Sequence, residues 1–256
     1  MQSRSAASMD RILLATLLTT FFALSLNSAT NQDKRTYKLT GEEANLLGTI
    51  SFAGVPPKPK RIDMSPDPIC ETVNPESATE DVMVADGKLA NVFVYARAGD
   101  TLDAYRFDPP SAEVTLEHKG CQYVPRVLGM QIQQTLNILN SDPTTHNTHP
   151  TPKENREWNQ SQPPGAIAIG HRFVRPELFI PIRDNQHPWE KAYVGVLSHP
   201  FFAASNKDGS YKIAGLPPGQ YTIVAWHEKF GEQTAEVTVL SRDQKTLDFT
   251  FKTHDK

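Results

Sequence analysis

A chain of 256 residues that is 38% hydrophobic and 21% charged, with a net charge of -3, has enough apolar material for one or two globular cores. It lacks the basic field a phosphate backbone requires, which excludes nucleic acid as a partner. Its 20 prolines, paired at 56–57, 109–110, 163–164 and 217–218, exclude long helices, because each removes an amide donor and crowds the turn before it.

The first thirty residues stand apart. Arg4 and Arg11 precede an apolar run, 12–26, and the small residues Ser28 and Ala29 follow, the order of a secretory signal over 1–29. The run is shorter than the roughly 20 residues that span a bilayer, so cleavage is expected rather than an anchor. The mature chain is expected to be periplasmic or secreted, with no membrane attachment after cleavage. In such a compartment the two cysteines, Cys70 and Cys121, are expected to pair, closing a loop of about 50 residues worth about 3–4 kcal/mol in the chain-entropy model. A reactive thiol is the alternative, and neither cysteine has a local motif for it.

Strand signals follow in order. Residues 48–54 alternate and stop at Pro56-Pro57; a polar segment, 63–86, carries Cys70; 89–96 is apolar on both faces and so is expected to be buried on both. The short runs 114–116, 123–128 and 135–140 have the cadence of a sandwich, 140–165 reads as a long polar connection, and 167–173 and 178–182 resume the strands. Asn206-Lys207-Asp208-Gly209 reads as a hairpin-like turn into 211–213, Leu216-Pro217-Pro218-Gly219 turns into 221–226, and 234–240 and 246–251 end the series.

Within that series, 208–222 (DGSYKIAGLPPGQYT) resembles the carboxypeptidase regulatory-like domain, a transthyretin-like sandwich also classed as a carbohydrate-binding-like fold. The resemblance implies that 48–54 and 90–98 supply its first strands, giving a discontinuous domain, 45–100 and 200–252. The part between, 111–199, resembles a cupredoxin of the methylamine-utilisation-like, plastocyanin type, on Asn140-Ser141-Asp142-Pro143-Thr144-Thr145-His146-Asn147 and Asp184-Asn185-Gln186-His187-Pro188-Trp189-Glu190. The implied fold class is all-β, a cupredoxin-like Greek-key sandwich inserted in or adjacent to the regulatory-like one.

In copper-binding members the first segment gives one histidine and the second reads Cys-x-x-His-Pro-Trp-Met, giving three more ligands. Here His146 and His187 match, while Asp184 stands in place of the thiolate and Glu190 in place of the thioether. Blue copper needs the cysteine sulfur, so type 1 electron transfer and a copper cofactor are not expected. Cys70 and Cys121 lie outside the motif and do not replace the ligand without a different geometry. Two readings stay open: a hard metal set of His146, His187, Asp184 and Glu190 suited to zinc, iron or manganese, or a relic in which Asp184 and Glu190 are solvated loop residues.

The other histidines read as structural: His149 in an exposed loop, His171 and His199 without patterned partners. Trp226-His227-Glu228 looks like a His-carboxylate dyad but has no nucleophile at a sensible spacing. Trp158, Trp189 and Trp226 would suggest sugar stacking only as an exposed row; Trp189 is expected to be partly exposed. Phosphate-loop and dinucleotide fingerprints are absent. The expected function is that of an exported, non-catalytic binding or interaction protein, with no partner or ligand specified. A periplasmic metal-binding or electron-transfer protein with a nonstandard site and a carbohydrate-binding module are the alternatives, the last on fold analogy alone.

Overall fold

The computed structural model describes residues 34–253; the signal-like segment and its cleavage lie outside them. Strands dominate, and the two helices, Pro68–Val73 and Asp100–Ala104, are single turns or little more.

The strands on either side of the central stretch pair with one another. Ala44–Ala53 is the spine of one sheet: Ser210–Leu216 and Lys88–Leu89 run antiparallel to it, Gln244–Thr246 and Phe249–Lys252 parallel. The facing sheet has the order Phe202–Ala204, Phe93–Gly99, Gly219–His227, Gly231–Val239. Leu46, Ile50, Phe52, Val94, Ala96, Ile213, Ile223, Ala225 and Phe251 fill the space between them.

Between Val114 and Leu197 the chain builds a second pair of sheets. One has the order Ile169–His171, Leu136–Asn140, Val114–His118, Tyr123–Val124; the other Gln160–Gln162, His146–Pro150, Glu177–Arg183, Lys191–Leu197, Val127–Gln131. Two pairs are parallel, Val114–His118 with Leu136–Asn140 and Lys191–Leu197 with Val127–Gln131. Crossovers between the sheets make those parallel pairs, and the result is the Greek-key order of a cupredoxin-like sandwich around Leu116, Met130, Leu136, Ile138, Ile180, Val194 and Val196.

Three sequence expectations change. The run 123–128 divides at Pro125, which has no amide for a ladder, and its halves join different sheets. The polar stretch 140–165 is not a plain connection: it holds His146–Pro150 and Gln160–Gln162. Their alternation is hidden because buried polar side chains replace apolar ones. Gln162 Nε2 donates to the carbonyls of Ile138 (3.1 Å) and Ile167 (3.0 Å), and Asn140 Nδ2 to those of Thr144 and Gln162 (both 2.8 Å). Lastly, Asn206–Gly209 is a corner rather than a hairpin, since the strands it joins belong to different sheets. Gly209 has φ +75°, and a β-carbon there would fall 2.5 Å from the Ile50 carbonyl oxygen.

The doubly apolar strand Phe93–Gly99 explains how the two sandwiches meet. Val94 and Ala96 enter the outer sandwich's own core, while Phe93 and Tyr95 point the other way, toward Val127 and Leu197 of the inner sandwich. Phe93 reaches that far because Gly129 and Gly195, cross-strand partners in the inner sheet, leave a notch. A β-carbon at Gly195 would lie 2.6 Å from the Phe93 ring, and one at Gly129 2.7 Å. Phe179 stacks on Trp226 with ring centres 3.7 Å apart, and Arg126 grips the carboxylate of Glu228 with Nε and Nη2 at the margin.

Adding a methyl group to a filled notch forces ring and sheet apart. Gly195→Ala is expected to cost about 1–3 kcal/mol in urea unfolding. Combining it with Phe93→Leu is expected to return part of that loss, and strictly additive losses would show that the ring does not occupy the notch.

Candidate metal centre

At one end of the inner sandwich three strands deliver the residues of the motif. His146 opens His146–Pro150, Asp184 directly follows Glu177–Arg183, and Glu190 directly precedes Lys191–Leu197. The turn between the last two strands is wound around Asp184. Its Oδ1 accepts from the amides of Gln186 (2.7 Å) and His187 (3.0 Å), and its Oδ2 from the amide of Asn147 (2.9 Å). Those three amides fix the carboxylate and swing His187 inward.

Asp184 and Glu190 are not the solvated loop residues of the relic reading. Asp184, Glu190, His146 and His187 are between 0 and 3% exposed. A carboxylate in such a place needs compensating partners, which a solvated loop residue would not. His146 Nδ1 lies 3.0 Å from Asp184 Oδ2 and 2.9 Å from Glu190 Oε1; His187 Nδ1 lies 3.1 and 3.7 Å from the same two oxygens. Donor atoms of His146, Asp184, Glu190 and His118 all lie within 4.8 Å of one another, room for one small cation, and His187 Nδ1 approaches the same two carboxylates. Glu190 Oε1 is fully buried and no donor is aligned on it.

Three further residues, which the sequence reading missed, hold this quartet. His118 ends Val114–His118, places Nδ1 2.8 Å from Glu190 Oε2 and Nε2 3.0 Å from Thr148 Oγ1, and stacks on the His146 ring at 4.4 Å. Its two-residue spacing from the buried Leu116 was the available signal, because both side chains must face inward. Asp67 Oδ2 lies 3.0 Å from His187 Nε2 and accepts from Thr144 Oγ1 (2.9 Å), while its Oδ1 caps the helix Pro68–Val73 through the amides of Ile69 and Cys70. Asp142 accepts from the amides of Gly120 (2.7 Å) and Cys121 (2.8 Å). Its Oδ2 sits 3.2 Å from His146 Nε2, within ion-pair range but off the line of a hydrogen bond. No local motif announces Asp67, and Asp142 lies within the segment Asn140–Asn147 without being one of its ligand positions.

His146 and His187 therefore each turn Nδ1 to the centre and Nε2 toward an outer carboxylate, the arrangement that orients metal-bound histidines. Burial disfavours charge on His146, but Asp142, Asp184 and Glu190 outweigh it and push its pKa up to about 11. Burial likewise opposes charge on His187, and Asp184 and Asp67 raise it. For Asp184, burial is overcome by both histidines and the amides of Asn147 and His187, which hold it well below the usual carboxylate range. The pocket is thus built around positive charge. Protons on the rings supply it in one state, and a divalent cation between neutral Nδ1 atoms supplies it in another.

Blue copper does not fit this set: none of His146, His187, Asp184 and Glu190 offers a sulfur. Cys70 and Cys121 form the expected disulfide, which ties the Asp67 helix across the end of the sandwich in a cluster with Ile62, Met64 and Trp189. Trp189 is half-buried and donates Nε1 to the Cys121 carbonyl (3.0 Å).

The remaining candidates are structural, with one change. His149 lies in a strand, between Asn185 and Glu157, rather than in a free loop. His171 packs on Trp158 and Phe173, His199 on Phe201, and His227 on Phe230. Trp158, Trp189 and Trp226 each pack on a neighbouring ring and form no row for sugar stacking.

Residues 182–252 match the family model of the carboxypeptidase regulatory-like domain. No curated protein matches the chain. Among solved structures, a copper-containing nitrite reductase from Thermus scotoductus SA-01 is 15% identical, with a TM-score of 0.31 over 39% of this chain, which spans 26% of the reductase. A purple cupredoxin from Nitrosopumilus maritimus is 17% identical, with a TM-score of 0.29 over 33% of this chain and 99% of its own. A Cu(I) form of an amicyanin variant has the same identity and TM-score over 33% of this chain and 81% of its own. The cupredoxin-like description rests on the strand order and its two parallel pairs, not on these overlaps.

Away from the centre, burial lowers the pKa of His199 and of His227 to about 4, with Arg126 adding to the effect on His227. An unfolded histidine titrates near 6.5, so between about pH 6.5 and 4 the unfolded chain takes up two protons that the folded chain refuses. Stability of chelator-treated protein is expected to fall as pH drops through that window, by up to about 1.4 kcal/mol per pH unit for each histidine. Urea midpoints that stay level from pH 7 to 4.5 would contradict the burial of both rings as neutral species.

Proposed function

We propose that this protein is an exported, non-catalytic binding protein whose inner sandwich holds one hard divalent cation, of the zinc, manganese or iron(II) kind, between His146, His187, Asp184 and Glu190. The observation that carries this reading is Glu190 Oε1, buried without an aligned donor and facing two imidazole Nδ1 atoms. Two imidazoles and two carboxylates make a donor set for such ions and not for a cupredoxin's copper.

Closure supports a structural or storage role over catalysis. The four side chains are buried on every side, and catalytic ions keep a position open to substrate or water. Export is supported by the Cys70–Cys121 disulfide, which persists in oxidising compartments. Among the described residues no helix is long and apolar enough to cross a membrane.

Zinc loading followed by exhaustive dialysis and elemental analysis is expected to leave one ion per chain, and His187→Ala to lose it. Asp67→Asn, which keeps a helix-capping oxygen but removes the charge on His187 Nε2, is expected to weaken binding about 10–100-fold. Protein that retains no metal above the level of His187→Ala ends the reading. The identity of the two substituted positions is tested separately. With Cu(II), Asp184→Cys/Glu190→Met is expected to develop an intense sulfur-to-copper absorption band, and the parent chain none.

A further inference from the structure

The disulfide lies on the opposite side of the same imidazoles. One ring nitrogen of His146 and the sulfurs of Cys70 and Cys121 all lie within 4.8 Å of one another, and so do donor atoms of Asp67, Cys70 and His187. His146 turns Nδ1 to the hard quartet, and its other edge faces Asp142 Oδ2, which accepts from the Cys121 amide. That edge ends in Nε2, which is fully buried and has no hydrogen-bond partner. Two sulfurs, a ring nitrogen of His146 and an adjacent histidine-aspartate pair thus lie together beside the helix Pro68–Val73.

We infer that opening the Cys70–Cys121 bond creates a second metal site, in which both thiolates and His146 Nε2, with His187 or Asp67 as the fourth donor, bind a thiophilic cation such as Zn(II) or Cu(I). The covalent step is thiol–disulfide exchange with a dithiol reductant. The S–S bond breaks, the dithiol's two electrons and two protons pass to the cysteine sulfurs, and the dithiol leaves as its own disulfide. The cation then displaces those two protons as two metal–sulfur bonds form. Two thiolates and one or two imidazoles make the set that tetrahedral zinc takes in closed sites.

Access follows from the fold. The cap that covers the sulfurs has one short helix, with Ile69 and Val73 exposed on it, and one isolated bridge within it, Arg61 to Ala78; apart from the disulfide, side-chain bonds of Asp67, Asn74 and Ser77 hold it to the sandwich. A segment with so few ladder bonds opens locally at a fraction of the global unfolding free energy.

The site shares His146 with the hard quartet and differs from it in its sulfurs, so cobalt(II) added to the full mature chain, anaerobically and with or without a phosphine reductant, separates the two. Oxidised protein is expected to bind cobalt without a sulfur-to-cobalt charge-transfer band in the near ultraviolet. Reduced protein is expected to show that band, and Cys70→Ser/Cys121→Ser to lack it under the same conditions. Reduced, folded protein that takes up cobalt with no sulfur band overturns the inference, and so does a reduced chain that unfolds and is not refolded by cobalt. Oxidised protein that binds no cobalt while the reduced protein gives the band would remove the hard quartet alone.

Discussion

Two carboxylates sealed inside the end of a β-sandwich impose the constraint around which the site is arranged. Asp184 and Glu190 are out of reach of water, and an isolated ionised carboxylate there would be costly by far more than the stability of a domain this size. The chain answers with amides, imidazoles and an outer ring of acids. Asp184 takes three backbone amides, Glu190 takes His118, and His146 and His187 bring Nδ1 to both. Asp184 and Glu190 are acidic without being exposed, and the proposal of a hard cation rests on that burial.

That compartment is steady because the two sandwiches are locked face to face. An outer sheet with one dry face would normally turn its second face to water. Here Phe93, Tyr95, Val224 and Trp226 on that second face are covered by the inner sandwich, with two glycines cut away to admit Phe93. Arg126 and Glu228 pair across the margin and are largely buried. An interface of interlocked rings resists the sliding that a flat polar contact would allow, and the strand Lys191–Leu197, which follows Glu190, is part of it.

Much of this was legible in the residues. The cadence of 89–96, apolar on both faces, announced a sheet covered twice, and the loop Asp184–Glu190 announced the place of the site. Strand His146–Pro150 was not legible, because its buried residues are polar and its pairing depends on Gln162 and Asn140 side chains. Nor were Asp67 and Asp142. Asp67 reaches the centre from outside the motif, and Asp142, inside its first segment, shows its role only through its distances to His146 and to the amides of Gly120 and Cys121. The solvated reading of Asp184 and Glu190 failed for a related reason: residue type favours exposure for acids in loops, and only the surrounding amides and rings make burial tolerable.

Asp67 binds the two halves of the molecule in a way that reaches beyond the centre. It lies before the inner sandwich in the chain, caps a helix of the preceding segment, and touches His187 of the loop that closes that sandwich. Excising 114–197 would therefore yield a sandwich with one wall of its chamber missing, deprived of Asp67 and of the Cys70 anchor together. The inner sandwich is no transplantable module. Shuffling it into another host would require the segment that carries Asp67 and Cys70 to travel with it.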